Sequence, residues 1–132
     1  MLKPGIRGTA EETVTEEKTA WKIGSGELLV YATPCMASLI EKAAWKSVSD
    51  ELEEGQGTVG TKLDISHEAA TPVGMKVTAE TVLKEVDGRR LVFDVEVRDA
   101  VGVIGRGTHE RFIIRNEKFF NKAQNRRENA GK

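Results

Sequence analysis

The hydrophobic and polar positions change their period once along the chain. From Thr33 to Leu52, apolar side chains recur at Met36, Leu39, Ile40, Ala43, Ala44, Val48 and Leu52. That three-and-four spacing predicts an amphipathic helix. Thr33-Pro34 opens it, because Thr is a good N-cap and Pro suits the first turn. Gly55 and Gly57 close it. Beyond Gly57 the period falls to two. Val59, Thr61, Leu63, Ile65 and His67 are predicted to share one strand face, and Val77, Ala79, Thr81 and Leu83 another, with a turn at Thr71-Pro72-Val73-Gly74. Asp87-Gly88 is a two-residue hairpin signal. Leu91, Phe93, Val95 and Val97 then alternate with Val92, Asp94, Glu96 and Arg98, and a last strand runs from about Val103 to Ile114. Upstream, Thr13, Val14 and Thr15 predict an edge strand, ended by Gly24 to Gly26. Leu28 to Tyr31 is too short an apolar run to classify. From Asn116 the tail is polar and net basic, a frayed helix after Phe119-Phe120.

Strand, one long helix, then four strands joined by tight turns is an α+β layout with antiparallel pairing. A single apolar helix on the concave face of such a sheet buries both apolar surfaces at once. The 132 residues fit one domain, 1–132, with a polar tail from about residue 118.

Composition narrows the function classes. Twenty basic residues stand against 21 acidic ones, for a net charge of −1. No basic excess draws the chain toward nucleic acid or an anionic membrane. Cys35 is the single cysteine, so there is no internal disulfide and no cysteine pair for zinc. The start, Met1 to Gly5, runs straight into polar sequence without the apolar core of a signal peptide. Leu28 to Ile40 is too short and too polar to span a bilayer. The expected location is the cytoplasm. No phosphate-cradling glycine loop and no HExxH spacing occurs, so no metal or cofactor is expected.

Three residues break the pattern around them. Glu41 projects onto the apolar sector of the helix, among Ala37, Trp45, Val48 and Leu52. A carboxylate there is costly unless paired; it is either functional, a flank residue turned outward or half of an ion pair. His67 ends a predicted apolar strand face, as a core histidine or as a general base near neutral pH. Thr33 reads as a helix cap, or as a hydroxyl placed where backbone N–H groups favour negative charge. Gly105, Gly107, His109 and Arg111 share one face of the last strand, marking either a bulge or close approach by a ligand. Cys35 reads as a small packing residue more readily than as a nucleophile.

These residues fall in four ordered blocks. They are Ala32-Thr33-Pro34-Cys35-Met36 with Leu39-Ile40-Glu41; Gly57-Thr58-Val59-Gly60-Thr61; Ser66 to Gly74; and Ile104 to Arg111. Together, from about Leu29 to Phe119, they resemble the hotdog-fold thioesterases of the fluoroacetyl-CoA thioesterase type. The resemblance implies a sheet wrapped round one helix. It also implies a homodimer or higher oligomer joined edge to edge, and hydrolysis of an acyl-CoA thioester near the interface. Coenzyme A would be part of the substrate rather than a cofactor. It implies a catalytic set of Thr33, Glu41 and His67, a Gly60 backbone that holds the thioester carbonyl, and Arg111 beside the substrate. Where the fluoroacetyl-specific enzyme carries lid phenylalanines, this chain has Ile23-Gly24-Ser25-Gly26-Glu27. A plain short-chain or aryl acyl group is therefore implied as readily as a fluorinated one. Two other functions fit the same fold: an enoyl-CoA hydratase, and a non-catalytic acyl-CoA binding module. The chemistry expected of Glu41 and His67 requires that they converge in one apolar cleft.

Overall fold

The computed structural model describes residues 1–131; Lys132, the end of the polar tail, lies outside the described residues. The strands are β1 (Arg7–Thr13), β2 (Gln56–His67), β3 (Lys76–Asp87), β4 (Arg90–Arg98) and β5 (Val103–Arg115). The helices are α1 (Ala20–Ile23), α2 (Thr33–Val48) and α3 (Asn116–Ala130). The strands form one antiparallel sheet in the order β1-β3-β4-β5-β2. The α+β expectation holds. Among the described residues no helix is long and apolar enough to cross a membrane.

The core lies between α2 and the middle of the sheet. Met36, Leu39, Ile40, Ala43, Ala44 and Val48 of α2 are buried, as the helical spacing requires. They meet the alternating faces of β3 (Val77, Ala79, Leu83) and β4 (Leu91, Phe93, Val95, Val97), together with Ile104 and Ile113 of β5. Burying each large side chain of this set contributes roughly 1.5–3 kcal/mol. At Gly8 of β1 an added Cβ would run into the Ala43 carbonyl and the Ser47 side chain, so a side chain there would push the helix off the sheet.

Three predicted elements shift. The first strand is Arg7–Thr13, not one centred on Thr13 to Thr15; Val14 instead leaves the sheet and is buried in the core. The regular helix ends at Val48 and passes through a tight turn at Ser49–Glu51 before Gly55, whose φ is +85°. The tail forms α3, which carries no buried residue.

The fourth change concerns β2. Pairing with β5 slips between Gly60 and Lys62. Thr61 is thus the extra residue of a bulge. On the near side of the bulge, Gly60 pairs with Arg111; beyond it, Leu63 pairs with His109 and His67 with Gly105. Thr58 and Gly60 therefore share the helix-facing side with Leu63, Ile65 and His67. The unbroken alternation that placed Val59 and Thr61 there is corrected. Being an edge strand, β2 has no fully buried residue.

Candidate active site

Two groups of polar side chains sit along β2. The first joins the start of α2 to the end of β2. Ala32 occupies the cap position without a side-chain hydrogen bond, and Thr33 is the first helical residue. Its hydroxyl is thus free of capping, and Thr33 Oγ1 lies 2.7 Å from His67 Nδ1. The helix-cap reading of Thr33 is replaced by this pairing. The imidazole is half-buried and meets Tyr31 edge-on, at 6.5 Å between ring centres. Burial pushes its pKa below the ordinary 6.5, opposed by a backbone hydrogen bond at Ala69. His67 Nε2 is buried without a partner. The pair lines an open cavity of about 270 Å³, shared with Ala20, Ser25, Val30, Tyr31, Glu68, Ala69 and Ala70. Tyr31 is fixed there because its hydroxyl donates to Glu12 Oε2 at 2.6 Å.

The second group surrounds Glu41. Its carboxylate lies 3.4 Å from Arg111 Nη1, and the two side chains are 42% and 6% exposed. Glu41 thus takes the flank and ion-pair positions foreseen as alternatives to a buried carboxylate. Arg111 is held tightly. Its Nε donates to Thr58 Oγ1 at 2.8 Å and its Nη2 to the Thr58 carbonyl at 2.9 Å. His109 is 1% exposed, and its Nδ1 is 2.8 Å from the Lys62 carbonyl, which can only accept. Nδ1 therefore carries the proton, leaving Nε2 to accept from Arg111 Nη1 at 3.1 Å. Burial, reinforced by Arg111, pushes the pKa of His109 down against the upward pull of its bond to the Lys62 carbonyl. An added Cβ on Gly60 would lie 2.5 Å from Glu41 Oε2 and 3.2 Å from His109 Cε1. Only glycine lets the carboxylate rest on the strand.

Thr33 and His67 are thus brought together, as are Glu41, Gly60 and Arg111. The two groups do not merge within the chain. Glu41 follows Thr33 by eight residues, about 12 Å along a helix. Gly60 precedes His67 by seven residues on β2, about 23 Å along a strand. The cavity at His67 is not lined by Glu41. Within one chain Glu41 and His67 therefore do not share a cleft: β2 runs opposite to α2 and holds them at different levels. Arg111 also differs from expectation, because its donors are spent inside the chain rather than offered to a ligand. The sequence reading missed Thr58, the Lys62 carbonyl and Tyr31. The glycine at position 60 was the available sign of a bulge. Cys35 packs against the core, and burial raises its thiol pKa, so no activated thiolate is present.

An antiparallel sheet packed on one long helix is the fold of the hotdog thioesterases. Solved structures of that class superpose over nearly the whole chain. A variant of the fluoroacetyl-CoA thioesterase in complex with acetyl-CoA matches with a TM-score of 0.90 at 36% identity, over 95% of this chain and 98% of that one. A thioesterase-superfamily protein of Thermus thermophilus matches at 0.87 and 29% identity, over 97% of both chains. The family model of the fluoroacetyl-CoA-specific thioesterases matches residues 14–117, and the chain belongs to that family. The fluoroacetyl-CoA thioesterase of Streptantibioticus cattleyicolor is 46% identical over 90 residues, which cover 68% of this chain and 65% of that protein's length.

Proposed function

We propose that the chain hydrolyses an acyl-CoA thioester to the free acid and CoA, as a homodimer whose two sheets join along β2. The observation that carries this reading is the Thr33–His67 pair, at nucleophile–base distance on the wall of an open cavity. Family membership supports the same substrate class.

Each half-site lacks what the other holds, and both stand on the open edge strand. An isologous antiparallel pairing of β2 with its copy, with the twofold between Leu63 and Asp64, sets Gly60 opposite the partner's His67. Glu41, 42% exposed, then faces the partner's cavity, alongside Trp45, 43% exposed. Such pairing also satisfies the backbone groups that an edge strand leaves open.

In this site His67, neutral at pH 7, accepts a proton at Nδ1 from the Thr33 hydroxyl or from a water held beside it. Glu41 from across the interface stands at the thioester carbon as base or nucleophile, and the proton taken up by His67 passes to the CoA sulfur as the C–S bond breaks. Arg111 positions that carboxylate rather than touching substrate. The Gly60 backbone N–H serves the developing oxyanion, and such a donor is worth about a hundred- to a thousand-fold in rate. The free Cys35 fits a reducing cytoplasm. The segment before α2 carries Trp21, Ile23, Leu28 and Leu29 and no phenylalanine. A non-fluorinated short or aryl acyl group is the favoured substrate.

The test is thiol release across short, branched, aromatic and halogenated acyl-CoAs. Release above background for one of them is the expected result. Binding of acyl-CoA with no thiol released from any substrate would make the protein a binding module instead. Hydration of an enoyl-CoA without thioester cleavage would make it a hydratase.

A further inference from the structure

Basic residues collect at one end of the molecule. Arg115 ends β5, and Lys118, Lys122 and Arg126 follow it at four-residue spacing on one face of α3. Arg89, in the turn between β3 and β4, stands over the Phe112 ring at 5.2 Å and faces the same cavity. That cavity, about 290 Å³, is lined by Arg89, Ile114, Arg115, Lys118, Phe119 and Lys122, with no carboxylate. A neighbouring one of about 650 Å³ shares Arg115, Lys118 and Lys122, and Glu117 is the one acid on its wall. Among the described residues, none of Arg89, Arg115, Lys118, Lys122 and Arg126 forms an ion pair. The chain's other cations frequently do, as at Lys18–Glu12, Lys76–Glu11, Lys84–Asp94 and Arg90–Glu110. In a chain of net charge −1, uncompensated cations around one concavity point to an anionic ligand.

The strand register fixes where this cavity lies. Arg111 pairs with Gly60, and Arg115 pairs with Gln56. The cavity therefore begins about 13 Å along β2 from the point where Glu41 meets Gly60. A thioester held at Gly60 would need an extended arm to reach it, and acyl-CoA carries one between its thioester and its phosphates. Phe119 adds a ring against which a purine can lie.

We infer that the cavity between α3 and Arg89 binds the phosphorylated nucleotide end of acyl-CoA, with Arg89, Arg115, Lys118 and Lys122 as its cations. The inference rests on the reading of the chain as an acyl-CoA hydrolase. An anionic lipid surface is disfavoured because the cations line a hollow rather than a flat face.

The test compares wild type with a Lys118→Ala/Lys122→Ala variant on two substrates, the best acyl-CoA and the same acyl group on pantetheine. Expected is a fall of about tenfold in the ratio of kcat/KM for acyl-CoA to that for acyl-pantetheine, from two lost charge-assisted contacts. An unchanged ratio overturns the inference. Calorimetry with adenosine 3′,5′-bisphosphate gives a second measurement, expected to show binding by wild type and at least about tenfold weaker binding by the variant. Equal affinities overturn the inference, as does tighter binding of inorganic phosphate than of the bisphosphate. Binding to anionic phosphatidylserine vesicles that the variant loses, with no bisphosphate binding, assigns the face to a membrane. If no acyl-CoA is hydrolysed, the proposed activity falls while the bisphosphate titration still decides this site.

Discussion

His67 Nδ1 and Thr33 Oγ1 lie 2.7 Å apart although 34 residues separate them in sequence. The contact exists because α2 begins where β2 ends. His67→Ala is expected to lower kcat by about 10²–10⁴-fold, the usual worth of a positioned general base. Thr33→Ser should keep more activity than Thr33→Ala, since it keeps the hydroxyl. Thiol-release kinetics on variants with a wild-type circular dichroism spectrum check both. Equal losses for the two Thr33 variants would mean that the methyl group, not the hydroxyl, matters there.

Mixing experiments test the proposed dimer and its shared site. A Glu41→Ala chain and a His67→Ala chain should each be nearly inactive. Unfolded together and refolded, half of the dimers are mixed, and each mixed dimer holds one intact and one doubly broken site. Recovery of about a quarter of wild-type activity is expected. No recovery would place both residues of each site on one chain.

Acid should harm this protein in two ways. Burial depresses the folded-state pKa of both His67 and His109 below 6.5. Between the folded and unfolded values the unfolded chain binds more protons, so stability rises with pH there. The contribution is complete above the unfolded value and is lost as pH falls through the folded ones. Thermal melts from pH 8 to pH 5 should show Tm falling below about pH 6.5. The loss should shrink in His109→Gln, whatever that variant does to Tm at pH 8. In the same series kcat/KM should stay level from pH 8 down past 6.5 and fall only at lower pH, as His67 with its depressed pKa takes up its proton.

Gly60→Ala separates activity from stability. The added methyl meets the far end of the Glu41 side chain at 2.5 Å, which can move aside, and lies 3.2 Å from His109 Cε1 and 3.3 Å from Arg111 Nη1, which must give by a few tenths of an ångström. The melting temperature should fall only modestly, while kcat falls at least about tenfold because the carboxylate is displaced. Gly107→Ala is the contrast: φ there is +155° and the methyl would run into the Asp64 carbonyl. It should destabilise the fold by about 1–3 kcal/mol, measured by urea unfolding.

Arg111→Lys should cost stability as well as rate. Lysine carries one compact charge and cannot reproduce a fork that serves Thr58, Glu41 and His109 together. Leaving His109 Nε2 and the Thr58 carbonyl without donors costs about 1–3 kcal/mol. Urea unfolding measures the first effect and thiol release the second. Wild-type values for both would remove Arg111 from its positioning role.

Local sequence alone determined the elements whose side chains repeat without interruption. The α2 stripe and the alternating faces of β3 and β4 follow from helical and strand periods, because burial on one side imposes those periods directly. The residues of the candidate site were legible too, since Thr33, Glu41 and His67 each stand out from their neighbours. Tertiary structure decided which face of β2 each residue takes, because one extra residue at Thr61 reverses the alternation without altering the composition. It also decided that Arg111 is tied up inside, and that Glu41 and His67 stand at different levels of one chain. Those outcomes depend on strand pairing and on the direction of α2 against β2. Both are long-range contacts, and no local periodicity records them.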